Sequence, residues 1–288
     1  MTVRSFAKIN LGLEILGKRP DGYHDIRTLF QTVTLHDELD LEPGPPGTVT
    51  LEGDDPSIAW DRTNLVERAA RKLMDRAERT VGARIAVRKS VPAGRGLGGG
   101  SSNAAATLIG LRKMWGLSLG EDELAGLARG LGADVPFFLK GGLCLGEGIG
   151  DVLTPLSDLN PLPCLLVFPP FPIPTPLIYA GVDASLTSPG KISKIVRFLE
   201  SGDFGLLEND LERVIFRAHP ELERWTAFLR EAGALVAQVS GSGSAVYGIF
   251  PDPESAEAAR RRLPGTTEAR LAATLPRRGY WAQLGAGA

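Results

Sequence analysis

The segment from Pro92 to Ala105 constrains the fold more than any other part of this sequence. It reads PAGRGLGGGSSNAA and holds glycine at positions 94, 96, 98, 99 and 100. A strand-like run precedes it at residues 84–91, and apolar residues recur at helical spacing from about Ser102 to Trp115. Glycine lets backbone N–H groups approach a ligand closely, and the start of a helix adds unpaired N–H donors with a partial positive charge. The segment therefore predicts a polyphosphate-binding loop between a strand and a helix.

Three better-known phosphate loops fit this segment poorly. A Walker A loop ends in Gly-Lys-Ser/Thr, and no lysine stands at that place. The protein-kinase loop requires a His-Arg-Asp motif downstream, which the chain lacks. The spacing Gly94-x-Gly96-x-x-Gly99 fits the dinucleotide fingerprint, but its companion acid, about 20 residues later, should close a strand. Glu121 and Asp122 instead open another predicted helix.

Four further features have an ordinary structural explanation when each is taken alone. A strand lysine usually contacts solvent, a histidine can simply be hydrogen-bonded, an aspartate can cap a helix, and a Gly/Ser run can join two strands. The features are Lys8 with Asn10 on the polar face of the first strand, Tyr23-His24 after the turn Pro20-Asp21-Gly22, Asp134 in the stretch 132–138, and the run 240–244.

Periodicity and turn signals place the other elements. Asn64 is expected to cap a helix, with Glu67 completing a capping box. Prolines between Asn160 and Pro176 surround one apolar strand at 164–168 and indicate a domain boundary near Asp158. The remaining predictions are a hairpin of strands at 6–15 and 26–35, a short strand within 43–62, helices near 121–129, 191–201, 206–217, 221–231 and 254–263, a strand pair around 240–244, and a closing strand region.

Composition excludes several classes of protein. Lys plus Arg number 32 and Asp plus Glu 34, so the net charge of -2 gives no broad attraction to nucleic acid. No stretch approaches the 18 uninterrupted apolar residues of a membrane span, and residues 1–10 lack the pattern of a signal or transit peptide. Cys144 and Cys164 cannot make a disulfide framework. We expect a cytoplasmic protein without a nucleic-acid or membrane partner.

Three regions together resemble the GHMP kinases, a family named for galacto-, homoserine, mevalonate and phosphomevalonate kinases. The stretch Phe6–Leu13 is similar to its lysine-bearing strand motif, Pro92–Ala105 to its ATP loop, and Val239–Val246 to its C-terminal glycine-rich motif. The resemblance implies an α+β fold of two domains, with the active site in the cleft between them. The N-terminal domain would be like the second domain of ribosomal protein S5, and the C-terminal domain ferredoxin-like. We place these domains at 1–158 and 159–288, with a return of the last strand to the N-terminal domain as an alternative.

Other stretches are similar to one branch of this family, which acts on 4-diphosphocytidyl-2-C-methyl-D-erythritol. They are Ala7–Leu11, Arg19–His24 with Thr28–Gln31, Gly132–Phe137, Ile173–Tyr179 and Asn209–Glu212. The resemblance implies ATP-dependent phosphorylation of the 2-hydroxyl of that small molecule, on the methylerythritol phosphate route to isoprenoid precursors. It also implies use of Mg²⁺, and we expect a monomer or a weak homodimer.

The resemblance assigns roles to individual residues. Lys8 and Asp134 would be catalytic, and Ser102 a ligand of Mg²⁺. The nucleotide would contact Pro92, Ala93, Gly94, Arg95, Gly96, Leu97, Gly98, Gly99, Gly100, Ser101 and Ser102. The substrate would contact Asn10, Tyr23, His24, Thr175 and Tyr179. Arg95 departs from the family, which usually has a small residue there, so its side chain must point away from the loop or reach toward phosphate.

Three alternative functions stay open. Another GHMP kinase, for homoserine or mevalonate, would not need Tyr23-His24, because these acceptors carry no base. A nucleic-acid-binding module is disfavoured by the net charge of -2. A non-catalytic nucleotide sensor would not need both Lys8 and Asp134.

Overall fold

A six-stranded mixed sheet forms the first half of the structure, a computed structural model that describes residues 1–183, 186–187 and 192–285. Its strands are β1 (Thr2–Lys18), β2 (His24–Pro43), β3 (Val49–Gly53), β4 (Ala83–Arg88), β5 (Leu143–Glu147) and β6 (Val152–Pro155). The order is β3-β4-β2-β5-β6, and β1 pairs with β2. The predicted hairpin is present but longer than expected. No strong pattern in the sequence marks β5 or β6, which are short.

Three helices accompany this sheet: α1 (Leu65–Met74), α2 (Gly99–Met114) and α3 (Glu121–Arg129). Asn64 caps α1 as predicted, because its side chain accepts the N–H of Val66 at 2.9 Å. The predicted capping box is wrong. Glu67 instead binds Arg71 at 2.7 Å, and the N–H of Asn64 donates to the Asp61 carbonyl.

The second sheet is antiparallel and has the order β10-β7-β9-β8. Its strands are β7 (Pro163–Phe168), β8 (Val236–Val239), β9 (Val246–Ile249) and β10 (Glu268–Ala273). The last strand therefore pairs with β7. The helix after it returns to the first core, where Tyr280 and Leu284 are buried. The division at residue 158 stays a prediction.

The helices of the second half are α4 (Thr175–Ala180), α5 (Lys194–Ser201), α6 (Glu212–Ala218), α7 (Pro220–Glu231), α8 (Pro253–Arg261) and α9 (Arg277–Gln283). The helix predicted at 206–217 starts only at Glu212, because Leu13 exchanges backbone hydrogen bonds with Glu208 and Asp210. The start predicted at 191 lies outside the described residues. The proline-rich segment contains α4, which was not expected. Pro176 sits in its first turn, where a missing N–H costs no helical hydrogen bond.

The chain also contains one Asp-Phe-Gly triplet, at 203–205, a motif of the protein kinases. Here it forms a short 3₁₀ turn, in which Asp203 accepts the N–H of Gly205 at 2.9 Å. The triplet is thus a local turn motif. Among the described residues, no helix is both long and apolar enough to cross a membrane.

Strand β1 contributes side chains to three separate apolar clusters. Val3 and Phe6 pack in the cluster beneath α1, α2 and α3, and Leu13 and Ile15 pack in the cluster of the second sheet with α6 and α7. Residues between them, such as Ile9, fill a middle cluster that both sheets share. The first strand therefore runs through the interior of both halves.

Asp37 fixes both ends of the glycine-rich loop. Its carboxylate is buried, and Oδ1 accepts the N–H groups of Ser90 and Val91, each at 2.7 Å. Oδ2 accepts from Asn103 Nδ2 at 2.9 Å and forms an ion pair with Lys89. The strand that enters the loop and the helix that leaves it are thereby held by one side chain.

Gly98 is the residue at which the loop becomes α2. Its φ of 68° is the left-handed conformation that favours glycine, and α2 begins at Gly99, earlier than predicted. A Cβ at Gly98 would lie 2.9 Å from Phe138 Cζ and 3.1 Å from Lys8 Cγ. At Gly100, two residues later, a Cβ would meet only Leu65 Cδ1, at 3.8 Å.

We therefore predict that Gly98→Ala lowers the free energy of unfolding by about 1–3 kcal/mol, because it combines backbone strain with a clash. The matched control Gly100→Ala should change it little or raise it by about 0.5–1 kcal/mol, since alanine is the better helix residue. Urea unfolding of both variants beside the unsubstituted protein measures the difference. Equal stability of the two variants would contradict this account.

Candidate active site

A cavity of about 750 Å³ brings together side chains that are far apart in the sequence. The volume suits a small-molecule ligand. Of the residues predicted to form the site, it is lined by Lys8, Asn10, Tyr23, His24, Gly96, Ser101, Asp134, Thr175 and Tyr179. Lining residues for which the sequence predicted no ligand contact include Lys18, Asp21, Phe30 and Ser242.

Lys8 and Asp134 form the charged centre of this cavity. Lys8 Nζ lies 3.4 Å from Asp134 Oδ2, and the two side chains are 5% and 33% exposed. Nζ also donates to Asn10 Oδ1 at 2.6 Å and lies 5.2 Å from the centre of the Phe30 ring. Lys8 is thus buried rather than in ordinary solvent contact. Asp134 does not cap the following 3₁₀ helix, because the N-cap of that helix is Val135. Asp134 instead lines the cavity.

Asn10 is held in one orientation. Its Nδ2 donates to Thr28 Oγ1 at 2.8 Å, and that hydroxyl donates to the Gly12 carbonyl at 2.7 Å. The amide oxygen is consequently the atom that Asn10 presents to Lys8. The ammonium group of Lys8 is fixed between a neutral acceptor and a carboxylate.

The glycine-rich loop contacts the second glycine-rich run directly. Ser240 Oγ donates to the Gly96 carbonyl at 2.9 Å, and a Cβ at Gly96 would lie 2.0 Å from the backbone carbonyl oxygen of Ser240. Asn209 secures the other side of the 240–244 run, since its Nδ2 donates to the carbonyls of Val239 and Gly241 at 2.9 and 2.8 Å. The two loops therefore have a fixed relative position.

Ser102 does not face the cavity. It is 1% exposed, its hydroxyl donates to the Phe6 carbonyl at 2.7 Å, and it accepts the hydroxyl of Ser5 at 2.7 Å. A role as metal ligand would require the side chain to leave both bonds, whereas Ser101 already lines the cavity. In the described part of the chain, no group of three or more His, Cys, Asp and Glu side chains could hold a metal ion.

The Arg95 side chain points away from the loop. Its guanidinium donates to Ser244 Oγ at 2.9 Å and to the carbonyls of Pro169 and Phe171. Leu97 is buried, and its carbonyl accepts the Lys8 N–H at 3.0 Å. The remaining residues predicted to contact nucleotide also lie outside the lining of this cavity: Pro92, Ala93, Gly94, Gly98, Gly99 and Gly100.

His24 and Tyr179 form the other end of the cavity. Their ring centroids are 5.5 Å apart, and His24 Nε2 is buried without a hydrogen-bond partner among the described residues. Burial lowers the pKa of His24, and the nearby charge of Lys18 lowers it further, so the imidazole is neutral near pH 7. Burial raises the pKa of Tyr179. This end thus offers flat surfaces and one unused ring nitrogen, with Tyr23, 62% exposed, at the rim.

Two lining residues, Lys18 and Ser242, are positioned by contacts with residues that are not their neighbours in the sequence. Lys18 lies opposite His24 in the register of β1 and β2, so both side chains are on one face near the turn. Ser242 Oγ lies 2.7 Å from Thr175 Oγ1, which joins the 240–244 run to the start of α4. A prediction of hairpin register would have pointed to Lys18, whereas the Ser242 contact depends on tertiary packing.

Both the sequence and the fold are similar to those of known proteins. The family model "GHMP kinases N terminal domain" matches residues 64–142, and "GHMP kinases C terminal" matches residues 195–268. A 4-diphosphocytidyl-2-C-methyl-D-erythritol kinase of Chloroherpeton thalassium is 40% identical over 273 residues, covering 91% of this chain and 95% of the relative.

Solved structures agree with this result. A 4-(cytidine 5'-diphospho)-2C-methyl-D-erythritol kinase superimposes with a TM-score of 0.83 at 37% identity, covering 95% of this chain and 98% of the other. A homoserine kinase from Cytophaga hutchinsonii gives a TM-score of 0.74 at 16% identity, covering 97% and 96%, and thus shares the fold. The predicted α+β fold of a two-domain GHMP kinase is confirmed. This chain belongs to the GHMP kinase family.

Proposed function

We propose that this chain transfers the γ-phosphoryl group of ATP to the 2-hydroxyl of 4-diphosphocytidyl-2-C-methyl-D-erythritol, on the methylerythritol phosphate route to isoprenoid precursors. The observation that carries the proposal is that one cavity holds the Lys8–Asp134 pair beside the glycine-rich loop and the His24–Tyr179 pocket at its other end. The relative from Chloroherpeton thalassium, named as this kinase, is 40% identical and supports the same substrate. We expect the enzyme to act in the cytoplasm, as a monomer or a weak homodimer.

In the proposed reaction, the substrate hydroxyl lies beside Asp134, which accepts its proton. The hydroxyl oxygen forms a bond to the γ-phosphorus, and the bond from that phosphorus to the leaving oxygen of ADP breaks. The Lys8 ammonium, 3.4 Å from Asp134, lies where negative charge develops on the attacking oxygen. Because such transition states are loose, fixing the reactants in line contributes more than the strength of the base. The buried contacts of Lys8 with Asn10 provide that fixed geometry.

The glycine-rich loop suits a triphosphate. The first turn of α2 leaves N–H groups without intrahelical acceptors, and Gly98 starts that turn without a side chain. Mg²⁺ bound with ATP would neutralise phosphate charge. Since the described residues offer no cluster of acidic ligands, we propose that phosphate oxygens and water supply most of its ligands, with the hydroxyl of Ser101, at the start of α2, as the protein group that lines the cavity there.

The His24–Tyr179 end suits a cytosine base. Tyr179 provides an aromatic face, and the free Nε2 of neutral His24 can hydrogen-bond the edge of the base. Lys18 and Lys8 are the two lysines among the described lining residues, and Lys18 lies on the His24 side, where its charge suits the diphosphate. Homoserine and mevalonate have no base for this pocket. A nucleotide sensor would not require the pairing of buried Lys8 with Asp134.

The proposal is tested by ADP release from Mg-ATP with 4-diphosphocytidyl-2-C-methyl-D-erythritol, homoserine and mevalonate offered in parallel. We expect turnover with the cytidylyl substrate alone. Turnover with homoserine or mevalonate instead would be consistent with phosphoryl transfer at Lys8 and Asp134, but it would refute the proposal that His24 and Tyr179 bind a cytosine base. Tight ATP binding without turnover on any acceptor would favour the sensor.

We predict that Asp134→Asn and Lys8→Met each lower kcat by about 100-fold or more, as expected when a positioned proton acceptor or charge is removed. The Kd of a non-hydrolysable ATP analogue should stay within about 3-fold, because the loop and α2 are unchanged. Steady-state ADP release and calorimetric titration measure the two quantities. Near-normal turnover of either variant would remove that residue from the mechanism.

Tyr179→Ala should raise the KM of the cytidylyl substrate by about 10-fold or more, since stacking on a base contributes about 1–3 kcal/mol. The KM of ATP should change by less than about 2-fold. Tyr179→Phe is the control, because it keeps the ring and loses only the hydroxyl, and its KM should stay close to that of the unsubstituted enzyme. An equal rise in both KM values for Tyr179→Ala would refute stacking.

A further inference from the structure

Arg95 stands in the glycine-rich loop, where the family resemblance leads one to expect a small residue. Its side chain leaves the loop and reaches two segments that are remote in the sequence. Nη1 donates to the carbonyls of Pro169 and Phe171, after β7, and to Ser244 Oγ at 2.9 Å. The described residues include no carboxylate in an ion pair with Arg95, so main-chain and hydroxyl oxygens are its partners.

These contacts close a hydrogen-bonded triangle. Ser244 Oγ donates to the Phe171 carbonyl, which joins the two remote segments to each other. The Ala245 N–H donates to the Arg95 carbonyl at 3.1 Å, and Ser240 Oγ donates to the Gly96 carbonyl at 2.9 Å. The nucleotide loop, the 240–244 run and the segment after β7 therefore constrain one another. Arg95 and Ser244 are the two side chains of this set that each contact both of the other segments.

The same two segments carry the substrate end of the cavity. The segment after β7 continues into α4, which presents Thr175 and Tyr179 to the cavity. Ser242, in the 240–244 run, lies 2.7 Å from the Thr175 hydroxyl. A shift of the nucleotide loop would consequently be transmitted to the residues that surround the base.

We propose that Arg95 is a positioning residue that couples the nucleotide loop to the base pocket, so that ligand at either end raises the affinity of the other end. The inference rests on the proposed function. Its physical basis is that the ligand bound first fixes its own side of the shared triangle in the binding geometry, and Arg95 transmits that geometry to the segments that contact the second ligand. Arg95 contacts neither ligand in this role.

The test measures a coupling factor. We would titrate a non-hydrolysable ATP analogue by calorimetry with and without saturating 4-diphosphocytidyl-2-C-methyl-D-erythritol, and then reverse the order. In the unsubstituted enzyme, the affinity for the ATP analogue should rise by at least about 5-fold when the cytidylyl substrate is bound. The affinity for the cytidylyl substrate should rise by the same factor when the analogue is bound, because coupling is reciprocal. Arg95→Ala should reduce the factor to near 1 while each separate Kd changes by less than about 3-fold. Arg95→Lys should restore part of it, since an ammonium can also donate to carbonyls.

Arg277→Ala is the matched control. Arg277 also donates to two backbone carbonyls, those of Leu143 and Leu156, but none of these residues lines the cavity. The Arg277→Ala variant should be less stable than the unsubstituted enzyme but should have the same coupling factor. If Arg95→Ala does not fold, Ser244→Ala replaces it, because it removes the hydroxyl that links Arg95 to the 240–244 run.

Two outcomes overturn the inference: a factor near 1 in the unsubstituted enzyme, or an unchanged factor in Arg95→Ala or, in its place, Ser244→Ala. Failure of the proposed function looks different. In that case the unsubstituted enzyme would not bind or phosphorylate the cytidylyl substrate at all, which the separate titration and the ADP-release assay reveal.

Discussion

The buried carboxylate of Asp37 is the interaction on which the rest of the site depends. It accepts hydrogen bonds from the exit of β4 and from the first turns of α2, and its charge is balanced by Lys89. A buried carboxylate is stable only when its acceptor sites are filled, and here both oxygens are used. The glycine-rich loop can therefore be rich in flexible residues and still keep one shape. The loop in turn helps to position Lys8 and Ser240, because both donate hydrogen bonds to its carbonyls.

The long periodic elements could be predicted from the sequence. The helix at 121–129 lies where its apolar spacing places it, and α2 differs only at its start, because the left-handed Gly98 lets the helix begin within the glycine run. The short strands β5 and β6 carry too few residues for a clear pattern. The α4 helix was hidden by prolines, which oppose helix interiors but are accepted in a first turn.

Site residues could be predicted from the sequence where one motif has one role. They were harder to predict where strand register or the direction of a side chain on a helix decides which residue faces the cavity. Two adjacent serines, Ser101 and Ser102, lie in the first turn of α2, and successive helical residues point about 100° apart. Ser101 therefore faces the cavity while Ser102 turns toward Phe6. Asp37 belongs to no motif, since its partners come from β4 and α2 rather than from neighbours in sequence. The sequence likewise allows two directions for the Arg95 side chain, and only the tertiary structure distinguishes them.

Strand β1 has a consequence for how the molecule folds. Its side chains belong to the apolar clusters of both halves and to the cluster between them, so neither half has a complete core without the first eighteen residues. A chain cut near residue 158 would leave the second sheet without Leu13 and Ile15. The two halves should consequently unfold in a single cooperative transition. A chimaera that takes one half from a relative would also need, in that half, the side chains that pack against β1.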